Sequence, residues 1–147
     1  METKDPYTSG HQKRVSRLSI AIARQLGITV EKIDAISIAS LIHDIGKIVV
    51  PESILSKPGP LSATEFSLIK SHPQTGHDFL KEIDFDYPIA DIILQHHERN
   101  NGSGYPNGLK SNEIMLEAKI IAVSDVIEAM SSHRPYRPAI GIDKALE

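Results

Sequence analysis

The sequence predicts an all-α fold, and three observations lead to that class. Apolar residues recur at helical spacing in several segments, as Val15, Leu18 and Ile22 do in the first. Glycines and prolines stand at the ends of these segments, where helices stop and start. No segment alternates apolar and polar residues as a half-buried strand does. The 147 residues suit a single domain, 1–147, with its own core.

Capping and breaking residues divide the chain into helices. Thr8 or Ser9 can cap the first helix and Gly27 can end it. The second helix is predicted to begin near Thr29 and to stop near Gly46. A connector with three prolines follows, and it leaves room for a short turn.

Ser62 and Glu65 have capping-box spacing and open a third helix. Its apolar side is predicted to carry Leu68, Ile69 and His72 before Pro73 breaks or kinks it. Further along, Pro88 can occupy the first turn of the next helix. A glycine-containing loop then leads to the longest helical segment, 112–133, and residues 141–147 look like the start of another helix.

Composition excludes several classes of function. The net charge of -3 gives no basis for binding a nucleic-acid duplex or an anionic membrane. The absence of cysteine excludes disulfides, cysteine-ligated zinc and thiol catalysis. The apolar runs are too short to span a membrane, and the N-terminus lacks the apolar region of a signal peptide. We therefore expect a cytoplasmic protein without membrane contact from this segment.

Several histidines and one aspartate lie at positions that an apolar core does not explain. His96 and His97 are adjacent, so they point about 100° apart on a helix and cannot share one packing position. His11 and His72 lie on apolar helix sides, and Asp125 lies within an apolar helix. Each alone is explained equally well by a buried hydrogen bond or a salt bridge. A single metal cluster explains them all, with His11, His43, Asp44, His72, His96, His97 and Asp125 as candidate ligands.

Imidazole and carboxylate ligands without sulfur favour manganese or iron over softer metals. Two such ions can activate a water and clamp a phosphodiester, so no serine or cysteine nucleophile is needed. Lys47, one helical turn after His43, could meet an anionic substrate beside the metals. His77 and His133 are assigned surface or structural roles.

Five separated blocks resemble those of the HD-GYP domains, a subset of the HD superfamily of metal-dependent phosphohydrolases. They are DPYTSGHQKRV at 5–15, HDIGK at 43–47, KSHPQTG at 70–76, HHERNNGSGYP at 96–106 and VSDVIEAMSSHRPYR at 123–137. The resemblance covers nearly the whole chain. It implies an HD-domain bundle of six or seven helices with a GYP loop, and hydrolysis of cyclic di-GMP to pGpG, GMP or both.

The resemblance also implies roles for individual residues. One metal ion would be held by His11, His43, Asp44 and Asp125, and a second by Asp44, His72, His96 and His97, with Asp44 bridging. Lys47 would touch the scissile phosphate or the leaving oxygen, and Asp44 and Lys47 are the predicted catalytic residues. The substrate contacts would be completed by Gly104, Tyr105, Pro106, Arg134 and Arg137.

Two positions depart from the family pattern. Tyr7 stands where some members carry a glutamate that supports a third metal, so we expect two metals. Asn101-Gly102 replaces a frequent Asp-Gly, and asparagine has similar turn chemistry.

Alternatives stay open at this stage. The chain could hydrolyse another nucleotide, such as cyclic GMP-AMP, or act as a weakly active module that senses a cyclic dinucleotide or docks a partner. The sequence ends within a helical pattern, which predicts a fragment of a longer protein. The resemblance implies a fused sensory or receiver domain, and a homodimer is a further alternative.

Overall fold

The computed structural model describes residues 10–131. Predictions for Tyr7, Thr8, Ser9, His133, Arg134, Arg137 and residues 141–147 lie outside this range. The described chain is helical, which confirms the all-α class, and its β structure is one isolated bridge between Asn101 and Lys110. The elements are α1 (His11–Gln25), α2 (Val30–Ile42), a 3-10 helix (Ile45–Val49), α3 (Glu52–Leu55), α4 (Ala63–Lys70), α5 (His72–Leu80), α6 (Ile89–Gln95) and α7 (Leu116–Ser131).

The core is formed where α1, α2, α6 and α7 meet. Val15 of α1, Ile36 of α2 and Ile121 of α7 are fully buried there, as are Ile92 and Ile93 of α6. Removing each isoleucine side chain from water contributes about 1.5–3 kcal/mol. Helix α5 packs against α6 and against the 3-10 helix. Within the described residues, no helix has the length and hydropathy needed to cross a bilayer.

Gly46 has a different role from the predicted one. Helix α2 ends at Ile42, four residues earlier than expected, and Gly46 lies buried within the 3-10 helix. A Cβ at Gly46 would lie 2.0 Å from the carbonyl oxygen of His72 and 2.6 Å from the amide nitrogen of Gly76. The missing side chain therefore lets the 3-10 helix touch the backbone of α5.

The predicted third helix divides into two. The capping box at Ser62 and Glu65 is present, and α4 begins where the sequence predicts. Helix α4 ends at Lys70, and α5 begins at His72 with Pro73 in its first turn. The predicted continuous apolar side is wrong, because α4 buries no residue and Leu68 is 46% exposed.

Helix α7 begins at Leu116, four residues later than the predicted start at residue 112, and two other helix ends agree closely with expectation. Gly27 follows α1 with a φ of 69°, a left-handed conformation that glycine adopts without strain. Pro88 immediately precedes α6. Helix α7 is the longest of the described helices, at 16 residues.

Candidate metal centre

Five parts of the chain bring the candidate ligands together. His11 begins α1, His43 and Asp44 follow α2, and His72 begins α5. The pair His96 and His97 follows α6, and Asp125 projects from α7. The helices that form the core thus also bring side chains distant in sequence to one place.

The candidate ligands form two adjacent groups. The Asp44 group contains Asp44, His72, His96 and His97, whose ligand atoms all lie within 4.8 Å of one another. The His11 group contains His11, His43 and Asp125, under the same limit. Asp44 faces both groups, because its Oδ1 lies 3.4 Å from His72 Nε2 and its Oδ2 lies 3.6 Å from His43 Nε2.

Three imidazoles are oriented by helix ends. The Nδ1 atoms of His43, His72 and His96 lie 2.7, 2.7 and 2.5 Å from backbone carbonyl oxygens three residues earlier. The last carbonyls of a helix lack intrahelical partners, so they accept these Nδ1–H groups. Each ring then presents an unprotonated Nε2 to the cluster.

These orientations leave unpaired lone pairs inside the protein. Among residues 10–131, no hydrogen-bond partner reaches the buried Nε2 of His43 or the buried Oδ1 of Asp44. Nε2 of His72 lies 3.2 Å from Nε2 of His96, and with both Nδ1 atoms donating to carbonyls the two lone pairs face each other. Such an arrangement is unfavourable without a cation. The donor set therefore fits a divalent metal.

Burial keeps the histidines of the Asp44 group neutral, as metal ligation requires. It lowers the pKa of His72 to about 4 and that of His97 to about 3. The pKa of His96 lies well below its ordinary value, first because of burial and then because of the neighbouring histidines. Burial alone would raise the pKa of Asp44, but Lys47 and the nearby histidines outweigh it, so the pKa lies well below 3.8.

The His11 group includes a second carboxylate nearby. His11 Nε2 lies 3.2 Å from Asp125 Oδ1, while its Nδ1 contacts Glu128 Oε2. Glu128 is buried, and Arg14 donates to its Oε1 from Nε at 2.7 Å. Sequence reasoning missed Glu128, although its position three residues after Asp125 places both on one face of α7.

Lys47 and Tyr105 border the cluster. Lys47 Nζ lies 2.8 Å from Asp44 Oδ2, and the lysine side chain is 26% exposed, so it reaches solvent beside the cluster. The ring of Tyr105 lies 4.8 Å from that of His97. Burial raises the pKa of Tyr105 to about 12, so its hydroxyl stays protonated at neutral pH.

The loop with Gly104, Tyr105 and Pro106 is built on the end of α6. A Cβ at Gly104 would lie 2.4 Å from both the Arg99 amide nitrogen and Glu98 Cα, so the loop passes directly over this backbone. The peptide bond between Tyr105 and Pro106 is cis. The expected turn chemistry of Asn101 is present, since its Oδ1 accepts from the Ser103 amide at 3.0 Å.

Glu98 anchors the same loop and was also missed by sequence reasoning. Its buried carboxylate accepts from the amides of Asn107 at 2.7 Å and Leu109 at 2.9 Å. The predictions for this block concern metal ligation by the paired histidines and substrate contacts by the GYP loop, and none of them concerns Glu98. His77 belongs to neither group; its ring nitrogens lie 3.4 Å from Asp78 and 3.5 Å from Asp91.

A family model described as an HD domain matches residues 1–147. The chain belongs to the HD-domain family. Within that family, the paired histidines and the GYP loop place it among the HD-GYP domains, as the sequence predicts.

Several proteins similar to this HD-GYP domain are described as phosphodiesterases of cyclic dinucleotides. The chain is 43% identical to the cyclic di-GMP phosphodiesterase response regulator RpfG of Xanthomonas campestris, over 99% of this chain and 39% of that protein. It is 40% identical to 3'3'-cGAMP-specific phosphodiesterase 3 of Vibrio cholerae, over 99% of this chain and 32% of that one. The chain thus spans well under half the length of these relatives.

Solved structures agree with the fold. The structure of Bd1817, a HDG"Y"P protein from Bdellovibrio bacteriovorus, matches with a TM-score of 0.71 at 31% identity. The match covers 82% of this chain and 40% of that one. The helical HD-domain architecture is therefore shared.

Proposed function

We propose that this HD-GYP domain is a metal-dependent phosphodiesterase that hydrolyses cyclic di-GMP to pGpG, GMP or both. The observation that carries the proposal is the position of Asp44, whose two oxygens face two adjacent groups of histidine and aspartate side chains. The similarity to RpfG supports the choice of reaction.

The two groups would hold two divalent ions, with iron or manganese favoured by the sulfur-free ligands. His11, His43, Asp44 and Asp125 would hold one, and Asp44, His72, His96 and His97 the other. When bound, the pair supplies Lewis acidity to the phosphodiester and lowers the pKa of a water. The two oxygens of Asp44 face different groups, which is the arrangement that a bridging carboxylate needs.

Other residues would act on the substrate directly. Lys47, which contacts Asp44 at 2.8 Å, would exchange part of this contact for a phosphate oxygen and would stabilise the charge that develops on it. Tyr105, with Gly104 and Pro106, would border the nucleotide beside His97. The guanidinium groups of Arg134 and Arg137, outside the described residues, are proposed to pair with the phosphates.

Cyclic GMP-AMP is the second candidate substrate. A relative of nearly equal identity, at 40%, is described as specific for 3'3'-cGAMP. The phosphodiester and the metal groups are common to both reactions, so the difference would lie in contacts to the bases. A sensing or docking module without turnover is the remaining alternative.

Turnover under anaerobic conditions tests the proposal. Purified chain would be supplied with manganese or ferrous iron and given cyclic di-GMP or 3'3'-cGAMP in parallel, with products resolved chromatographically. Asp44→Ala should abolish hydrolysis and most metal binding, whereas Asp91→Ala, an exposed aspartate on α6, should change neither. Two bound metals without hydrolysis of either substrate would exclude the phosphodiesterase proposal and favour a sensing module.

We also propose that the domain works in the cytoplasm as part of a longer protein, fused to a sensory or receiver domain. The chain matches only 39% and 32% of the lengths of two relatives, and this supports the proposal of a longer protein. Dimerisation stays a prediction.

A further inference from the structure

One buried carboxylate beside the metal groups has no role in the proposed chemistry. Glu128 is 5% exposed, and its two oxygens contact different partners. Oε2 contacts Nδ1 of His11, and Oε1 accepts from Nε and Nη2 of Arg14 at 2.7 and 2.6 Å. The chain therefore fixes the position of this carboxylate from both sides.

The contact is unlike that of three other histidines in the cluster. His43 and His96 each follow a helix, and His72 comes two residues after the end of α4, so Nδ1 of each lies against a backbone carbonyl oxygen three residues earlier. His11 is the first residue of α1, where a helix offers unpaired N–H groups in place of carbonyls. A carboxylate from α7 takes the place of the carbonyl, 117 residues away in sequence.

We infer that Glu128 is a positioning residue, held by Arg14, which keeps the proton of His11 on Nδ1 and directs Nε2 into the His11 group. The inference rests on the proposed function, because it assigns that Nε2 to a metal. A carboxylate behind a metal-binding imidazole fixes the ring and makes the ligating nitrogen more basic, and its loss commonly weakens metal binding about 10- to 100-fold. Only one of the two ions should be affected, because Glu128 contacts His11 alone among the candidate ligands in the described contacts.

Glu117 provides a matched control. It lies on the same helix, is also 5% exposed and also pairs with a basic side chain, since Lys32 Nζ lies 2.9 Å from its Oε1. Glu117 contacts neither metal group in the described structure. Glu128→Ala and Glu117→Ala thus remove the same kind of buried ion pair from α7.

Zinc titration followed by calorimetry is the first measurement. We expect wild type and Glu117→Ala to bind two ions, and Glu128→Ala to bind one normally and the other at least 10-fold more weakly. Glu128→Gln keeps an acceptor oxygen but loses the charge, so its second ion should bind with intermediate affinity; this variant carries the test if Glu128→Ala does not fold. Wild-type affinity for both ions in Glu128→Ala and Glu128→Gln would overturn the inference.

Imidazole nitrogen NMR separates this inference from the proposed function. At alkaline pH, the His11 ring should be protonated at Nδ1 in wild type and in Glu117→Ala, and should populate both tautomers in Glu128→Ala. An unchanged tautomer in Glu128→Ala would overturn the positioning role, whatever the activity. A wild-type chain with the expected tautomer but no metal binding or no hydrolysis would instead refute the proposed function.

Discussion

Gly46→Ala is the substitution whose effect follows most directly from the geometry. The added Cβ would meet the His72 carbonyl oxygen at 2.0 Å, although ordinary contact begins at 3.4 Å. The Gly76 amide lies 2.6 Å away, so backbone blocks Cβ on this side too. Neither neighbour can rotate aside, and the 3-10 helix and α5 must separate by more than 1 Å.

Overpacking of this kind costs about 3 kcal/mol, which corresponds to a fall of about 10 °C in Tm for a chain of this length. The same separation would move Asp44 away from His72 and weaken zinc binding. Thermal unfolding by circular dichroism and zinc titration measure the two effects. Gly27→Ala is the control, since its Cβ meets no atom within 4 Å. Its only destabilisation comes from the left-handed φ, which costs an alanine about 1 kcal/mol. Equal stability of Gly46→Ala and Gly27→Ala would refute the packing argument.

Three further predictions concern the site. Lys47→Ala should keep the bound metals, because the substitution removes a positive charge from beside them. It should lower kcat about 100-fold, because the charge that develops on the phosphate is no longer stabilised. Loss of metal would contradict this role. Glu98→Ala should lower the free energy of unfolding by about 2 kcal/mol, since two part-buried hydrogen bonds from loop amides to this carboxylate are lost. It should also raise KM for cyclic di-GMP with metal content unchanged. Glu113→Ala, which removes an exposed acceptor in the same loop, is its control, and an equal effect of both would contradict the anchoring role. The Tm of the metal-free chain should fall as pH drops from 6.5 toward 4. The unfolded chain takes up protons over this interval, whereas folded His72 and His97 stay neutral until pH reaches their pKa values of about 4 and 3. A flat or rising Tm over that interval would contradict the neutral state of these two histidines.

The all-α class and the candidate ligands could be predicted because local pattern and residue chemistry carry them. Adjacent histidines at a helix end, and an aspartate within an apolar helix, violate the ordinary rules of a core wherever they occur. His96, His97 and Asp125 could therefore be singled out before any contact between them was known, and it is their number that favours a metal cluster over separate hydrogen bonds or salt bridges.

The supporting contacts could not be predicted because they join distant parts of the chain. Gly46 resembles a helix terminator, and only the approach of α5 reveals why a side chain is excluded there. In the sequence, Glu128 resembles a solvated charge on a helix and Glu98 one at the start of a loop. Only the folded chain shows that Glu128 contacts His11 and Arg14 and that Glu98 accepts from two loop amides. The break predicted at Pro73 comes two residues earlier, at Ser71. The burial of Leu68 was wrongly predicted, because this residue fits an apolar pattern that the described chain leaves exposed.

The central claim is that Asp44 lies between two metal ions, and anomalous diffraction from crystals grown with manganese tests it most directly. The account predicts two anomalous peaks about 3.5–4 Å apart, one on either side of the Asp44 carboxylate and each contacted by one of the two ligand groups. A single peak, or no peak at the cluster, would contradict the dinuclear site on which the proposed chemistry depends.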